Sequence, residues 1–599
     1  MRRILGHGLL AVPLLCFLLT APLRPADARA GPSAAAAARV DAEVGFSGWV
    51  VPNVWMPVRI DVAAETAFDG VVDVTVGSAA YRRPIQLSSG ARQRLMLYVV
   101  ISDPRRPLLV SLRDTGDRPV AEQAIPLLRT RVAEGLVVAL TADAAGLEFL
   151  TAEGRGLAGA YLREDSLPDH WAAYEGVNAV VLRDLDERAM SGGQRQALRE
   201  WVAQGGRLLV TGERGLRQNQ TWLADLLPAM VSPASTVIPS GALPGMLFPQ
   251  PAAVLLPKPG ADVWPARSLP VVVSRPYGRG QVTAWAFDAF APAVRSWPGR
   301  VRLWHQLLAG GRIQPLARPA LSDVIPTART LSGGAQVQIV ALSIFYILAV
   351  RFVLRRFATR RGTWLALGAV VVVFGILLYG VSAAARRAAS TTVQLSVVEA
   401  TGTQDLARVT TYVALLHPYG GAYVLTAPEG ALIRPRPEAG PITSAAANTI
   451  GGEAAPGVLV FEAVQVISVP VHGRVRAPID GLELKVENGT AGPLTSPAVF
   501  LNGQTQNLPD ISGRLSTPLP PGRWEPADRN AATGAFGHDA RAWIATRLDA
   551  YRTPAIIGYK TLWLLGDLQD PRLSVRLLGA SNGRSLHLLL APIMETGGR

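Results

Sequence analysis

Cysteine is almost missing from this chain of 599 residues: Cys16 is the only one. A chain with no thiol after that point forms no internal disulfide, holds no Cys-ligated zinc and uses no cysteine nucleophile. Lysine is nearly as scarce. Lys and Arg together number 59, and only Lys258, Lys485 and Lys560 are lysine, which leaves 56 arginines spread along the chain. The formal net charge of +14 and the pI near 10.4 therefore arise without a basic arm. A phosphate-binding footprint needs clustered cations, so nucleic acid is excluded as a partner. Catalytic signatures are missing too. There is no H-E-x-x-H, no phosphate-binding P-loop and no S-x-x-K, because none of the three lysines has a serine three residues before it. His170, His305, His417, His472, His538 and His587 show no ligand-like spacing. The spacing of a glycosidase-type acid pair is set in three dimensions, and nothing in the sequence singles one out. The sequence thus assigns no catalytic, cofactor-binding or metal-binding residue, and a non-enzyme with no cofactor is expected.

What the chain has in plenty is apolar sequence. Hydrophobic residues make up 49% and the mean hydropathy is +0.23, too apolar for disorder. The length calls for three or four domains. Met1, Arg2 and Arg3 precede an apolar run from Leu9 to Leu19, and Ala28-Arg29-Ala30 resembles a cleavage site, so residues 1–30 read as a secretory signal peptide. Two further apolar stretches, 335–355 and 363–385, approach the roughly 20 residues that cross a bilayer, and both are expected to be transmembrane helices. Arg355, Arg356, Arg360 and Arg361 fall in and beside the loop 356–362, which the positive-inside rule places in the cytoplasm. The expected location is the cytoplasmic (inner) membrane, with both large segments extracytoplasmic.

The large segments read differently. Residues 38–128 hold short apolar runs such as Trp55 to Val62, Gly70 to Val76 and Arg94 to Ile101, separated by turn signals, and a β-sandwich is expected there. Trp49 and Trp55 are read as core. From 131 to 318 the pattern becomes α/β. Gly135 to Thr141 and Ala179 to Leu182 look like strands buried on both faces. Between Leu182 and the next strand, Arg207 to Thr211, lies an amphipathic helix, with Ser191 suited to its N-cap and Ala197, Leu198, Trp201 and Val202 forming one apolar face. This is a βαβ unit. Residues 390–599 are again strand-rich, with helical periodicity only near 540–551, and a β-sandwich-rich domain is expected. His170 reads as a helix-start residue packed near Trp171 and Tyr174. Glu213 reads as a turn or ion-pair residue, and Gly278-Arg279-Gly280 as a tight turn.

The run Asn178 to Leu182 followed by Gln196 to Gly212 resembles the class I glutamine amidotransferase-like domain. It is most similar to the inactive versions found in bacterial membrane proteins of unknown function. The resemblance covers 131–315 and implies a flavodoxin-like sheet. It does not carry activity, because Thr211-Gly212-Glu213-Arg214-Gly215 stands where the nucleophilic cysteine elbow belongs. The expected fold is therefore multidomain: N-terminal β-sandwich, amidotransferase-like (flavodoxin-like) α/β domain, two transmembrane helices and a C-terminal β-sandwich-rich domain. The function this implies is a non-catalytic, membrane-anchored envelope scaffold or accessory subunit whose partners are the membrane and envelope or membrane proteins. The alternatives are an envelope carbohydrate-binding protein with a glycan ligand, and a hydrolase with an unrecognised serine or carboxylate site.

Overall fold

The computed structural model describes residues 38–595 apart from breaks, the longest of which are 309–332 and 527–561. The signal peptide 1–30 and the helix expected near 540–551 lie outside the described residues. Strand accounts for 54% of the structure and helix for 19%.

The strongest local signals in the sequence form as regular elements. Gly135–Leu140 and Val177–Leu182, buried at every position, pair in parallel with one another. The helix Gly192–Ala203 opens with a capping box, in which Ser191 Oγ accepts from Gln194 N and Gln194 Oε1 accepts from Ser191 N. Its face of Ala197, Leu198, Trp201 and Val202 is buried, and the chain returns as the strand Arg207–Thr211, parallel to Val177–Leu182. Leu157–Leu162 and Gly280–Trp285 extend the parallel set, and Val272–Tyr277 and Asp262–Trp264 add antiparallel strands, for seven in all. The turn between Tyr277 and Gly280 holds Gly278 at φ +61°, where a Cβ would stand 2.5 Å from Ala203 O.

This sheet does not make the separate flavodoxin-like α/β domain that the sequence suggests. Among the described residues few helices flank it, and only Gly192–Ala203 and Gly299–Leu308 reach ten residues there. One hydrophobic core runs from Ala38 through this sheet to Leu307 and also takes in Leu432 and Val464. The middle of the chain is part of a larger β-rich body.

The two-span topology is also overturned. Among the described residues no helix is long and apolar enough to cross a membrane. Gly333–Arg356 and Arg360–Arg386 are helices that pack together, with Phe345 and Tyr346 6.1 and 5.1 Å from the ring of Phe374. The first carries Arg351, Arg355 and Arg356 in its last two turns. Phe345, Leu365 and Ile376 on these helices are exposed. The inner-membrane location and the cytoplasmic loop fall with the spans.

The N-terminal and C-terminal halves of the chain meet in an eight-stranded sheet. Its N-terminal part comprises Ala79–Leu87, Phe68–Val76, Leu108–Asp114 and Pro119–Ile125, and its C-terminal part Arg576–Leu577, Gly421–Thr426, Thr449–Ala454 and Ile442–Ala446. The join is a parallel pairing of Ile442, Thr443 and Ser444 with Ala79, Ala80 and Tyr81. A twelve-stranded sheet built on Thr391–Ala400, Leu406–His417 and Gly457–Ser468 completes the C-terminal half.

Candidate functional site

In a parallel sheet the carboxyl ends of the strands are where chemistry is usually placed. Here those ends carry Thr141, Arg183, Glu213 and Asp288. Arg183 follows the strand Val177–Leu182 and donates to Asp288 through Nε and Nη2 (3.1 and 2.9 Å) and to Thr141 Oγ1 through Nη1 (3.0 Å). Such a two-pronged bond consumes the carboxylate and fixes the guanidinium. Glu213 opens the short helix Glu213–Gln218, pairs with Arg217 at 2.9 Å and accepts a hydrogen bond from Ser235 Oγ. It is an ion-pair residue, with Arg217, not its neighbour Arg214, as partner. Glu148 accepts from Gly146 N at 2.8 Å. Partial burial opposes its ionisation, but backbone N–H groups, the Tyr161 hydroxyl and the charge of Arg295 outweigh burial and hold its pKa below the usual value.

A serine–histidine contact occurs elsewhere, in the C-terminal half. His587 Nδ1 lies 2.9 Å from Ser396 Oγ, and Ser396 Oγ lies 2.8 Å from Thr411 Oγ1. The three residues are register partners on adjacent strands, and Ser396 is fully buried. Burial lowers the pKa of His587, offset in part by the charge of Asp570. The row holds down the segment 570–575: Thr411 Oγ1 and Ser396 Oγ donate to Leu573 O, and Gln394 bonds both N and O of Val575. This is a cross-strand polar ladder inside a sheet, with no opening for a substrate at Ser396.

The most heavily charged interior lies where the halves meet. Glu175 follows the 3-10 turn Trp171–Tyr174. Its Oε1 accepts from Arg408 Nη2 and its Oε2 from Arg434 Nη2, both at 3.1 Å. The side chains of Glu175 and Arg408 are 5% and 2% exposed. Arg408 sits 5.3 Å from the ring of Trp171, and Arg434 sits 5.9 Å from the ring of Trp55 and donates to Asn53 O at 3.1 Å. Burial works against the charge of Arg434, but Glu462 and Glu175 outweigh it and raise the guanidinium pKa. Nearby, Arg279 Nη1 reaches Glu399 Oε2 at 2.7 Å. Trp55 is therefore core, and Trp49 is half-buried.

Among the described residues no group of three or more His, Asp or Glu is arranged to hold a metal ion. His472 pairs with Asp405 at 2.8 Å; His538 lies outside the described residues. None of the described aromatic residues in 38–128 or 391–595 is fully exposed; Trp49, Tyr98 and Trp563 are half-buried. The junction of Glu175 with Arg408 and Arg434 was missed by sequence reasoning. The only sequence signal is an arginine in each of two apolar strand runs, Leu406–His417 and Leu432–Pro435.

Residues 37–128 match a family described as a domain of unknown function, DUF8726. The match covers the N-terminal strands and none of the parallel sheet. No curated protein matches the chain. Among solved structures, the exo-beta-1,4-mannosidase Op5Man5 from Opitutaceae bacterium strain TAV5 is 14% identical, with a TM-score of 0.20 over 29% of this chain and 35% of that one. This chain thus spans about a third of the mannosidase's length, and so weak a likeness supports no functional argument. The chain is a β-rich protein whose N-terminal segment is similar to DUF8726.

Proposed function

We propose that the chain is a non-catalytic scaffold that binds protein partners on the outer surface of a rigid β-rich body. The observation that carries this reading is how the charged side chains are used. At the carboxyl ends of the parallel sheet, Arg183 is spent on Asp288 and Arg217 on Glu213. The interior charges Glu175, Arg408 and Arg434 are spent on joining the two halves. Groups tied in this way hold a shape and are poorly placed to exchange protons with a substrate.

The test is crosslinking in intact cells followed by identification of what co-purifies, run beside a turnover screen on model acyl, glycosyl and phosphoryl esters. A protein partner in fixed stoichiometry, retained by the Asp288→Asn and Ser235→Ala variants, is the expected result. Turnover that either substitution abolishes would overturn the reading.

A further inference from the structure

At His170 three parts of the chain that are distant in sequence meet around a single titratable ring. Its Nδ1 accepts a hydrogen bond from Ala172 N (3.2 Å) and so caps the turn Trp171–Tyr174. Since Nδ1 accepts, the ring proton must sit on Nε2, which donates to Gly430 O at 3.0 Å, 260 residues away in sequence. The ring also lies 5.6 Å from that of Tyr98, whose hydroxyl donates to Asp169 Oδ1 and accepts from Asp169 N. Gly430 belongs to the turn closed by Ala431 N and Pro428 O, and directly after it comes the strand Leu432–Pro435 that carries Arg434. On the other side, Trp171 lies under Arg408 and Glu175 bridges both arginines.

We propose that His170 is a pH-sensitive latch: gaining a proton, it uncaps the turn Trp171–Tyr174 and so loosens the docking of the C-terminal half, with its segment 428–435, on the N-terminal half. The Nε2–H bond to Gly430 O survives protonation and is strengthened by it, so the loosening runs through the lost cap and the added charge. The proton adds to Nδ1, the atom that accepts from Ala172 N, so two N–H groups then face each other and the cap is lost. The uncapped turn is the one that presents Trp171 to Arg408 and leads into Glu175. The new positive charge also joins Arg408 and Arg434 at the junction. Opposing it are Asp169 and Glu175 beside the ring, with Glu429 in the facing turn; Tyr98 is neutral, burial and the Asp169 charge raising its pKa.

Burial lowers the pKa of His170 below 6.5, and the bond to Gly430 O and the charges of Asp169 and Glu175 offset only part of that. The sign follows from linkage. A freed His170 binds its proton at higher pH than the docked one, so docking has full strength above about 6.5 and weakens as pH falls from there toward the lowered value. The ring is only half-buried, so a proton reaches it without unfolding.

Amide hydrogen exchange on the full chain, corrected for intrinsic rates, tests this between about pH 7.5 and pH 5.5. Protection of 171–175 and 428–435 should fall by at least about threefold, and by no more than about tenfold per pH unit, the limit for one proton. In His170→Asn, which keeps an acceptor for Ala172 N but does not titrate, the same peptides should change by less than about twofold. If the variant fails to fold, His170→Gln takes its place, and exchange at the imidazole C2 of the native protein reads the titration of His170 directly. Unchanged protection in the native chain, or an equal loss in the non-titrating variant, would overturn the latch.

Discussion

Glu175 and Glu213 are both carboxylates held by arginine, and the contrast between them shows how burial changes what an ion pair does. Glu213 and Arg217 are four residues apart on one short helix, with side chains 28% and 35% exposed. Water competes for both, and the pair adds little. Glu175 is 5% exposed and meets Arg408 and Arg434, which are 233 and 259 residues later in the chain. Such a pair is costly to desolvate, so it is weak support for net stability. It is strong specification of how the parts fit, because any arrangement that separates the partners leaves a charge buried alone.

The largest way to break this contrast is Glu175→Gln, which leaves Arg408 and Arg434 without their shared carboxylate. We expect a loss of about 3–5 kcal/mol, seen as a lower denaturant midpoint, with the C-terminal half losing exchange protection first. Leu432→Ala asks whether apolar contact across the same junction matters as much. Leu432 is 2% exposed in the core shared with the N-terminal half. It opens a strand at a sheet edge that relaxes readily, so the expected cost is about 2–3 kcal/mol, toward the low end for Leu→Ala. Thermal melts of the full chain measure it. The smallest effect belongs to Glu213→Gln, expected to stay within about 1 kcal/mol and to shrink further in high salt. A loss as large as that of Glu175→Gln would show that the contrast is false.

How much of this was legible depended on range. The strand Gly135–Leu140, the cap at Ser191, the buried face of Gly192–Ala203 and the return strand Arg207–Thr211 all follow from local periodicity and turn chemistry. The turn at Gly278 is of the same kind. What local pattern does not encode is which surfaces meet. A βαβ unit reads as the start of a flavodoxin-like domain, yet its core here continues into the N-terminal strands and on to Val464. Apolar helical runs read as membrane spans from hydropathy alone. The helix cap at His170 is written in the residues beside it, whereas its bond to Gly430 depends on a docking that no nearby residue announces. Arg408 and Arg434 look like lone charges in apolar strand runs until Glu175 arrives from elsewhere.

The parallel pairing of Ile442–Ala446 with Ala79–Leu87 also bears on how the chain is made. During synthesis the N-terminal partner emerges first and must wait for 355 more residues, counted from Leu87 to Ile442, a delay of about 20–70 s at ordinary translation rates. For that time its outer edge is open to any other strand, including the same edge on a neighbouring nascent chain. Arg82, Arg83 and Pro84 stand in the middle of that strand. Arg82 is tied to the buried Asp73 of the neighbouring strand, so the charge of Arg83 and the missing N–H of Pro84 are what discourage strangers, while Ala79, Ala80 and Tyr81 at the start stay free to accept the partner that is still on the ribosome.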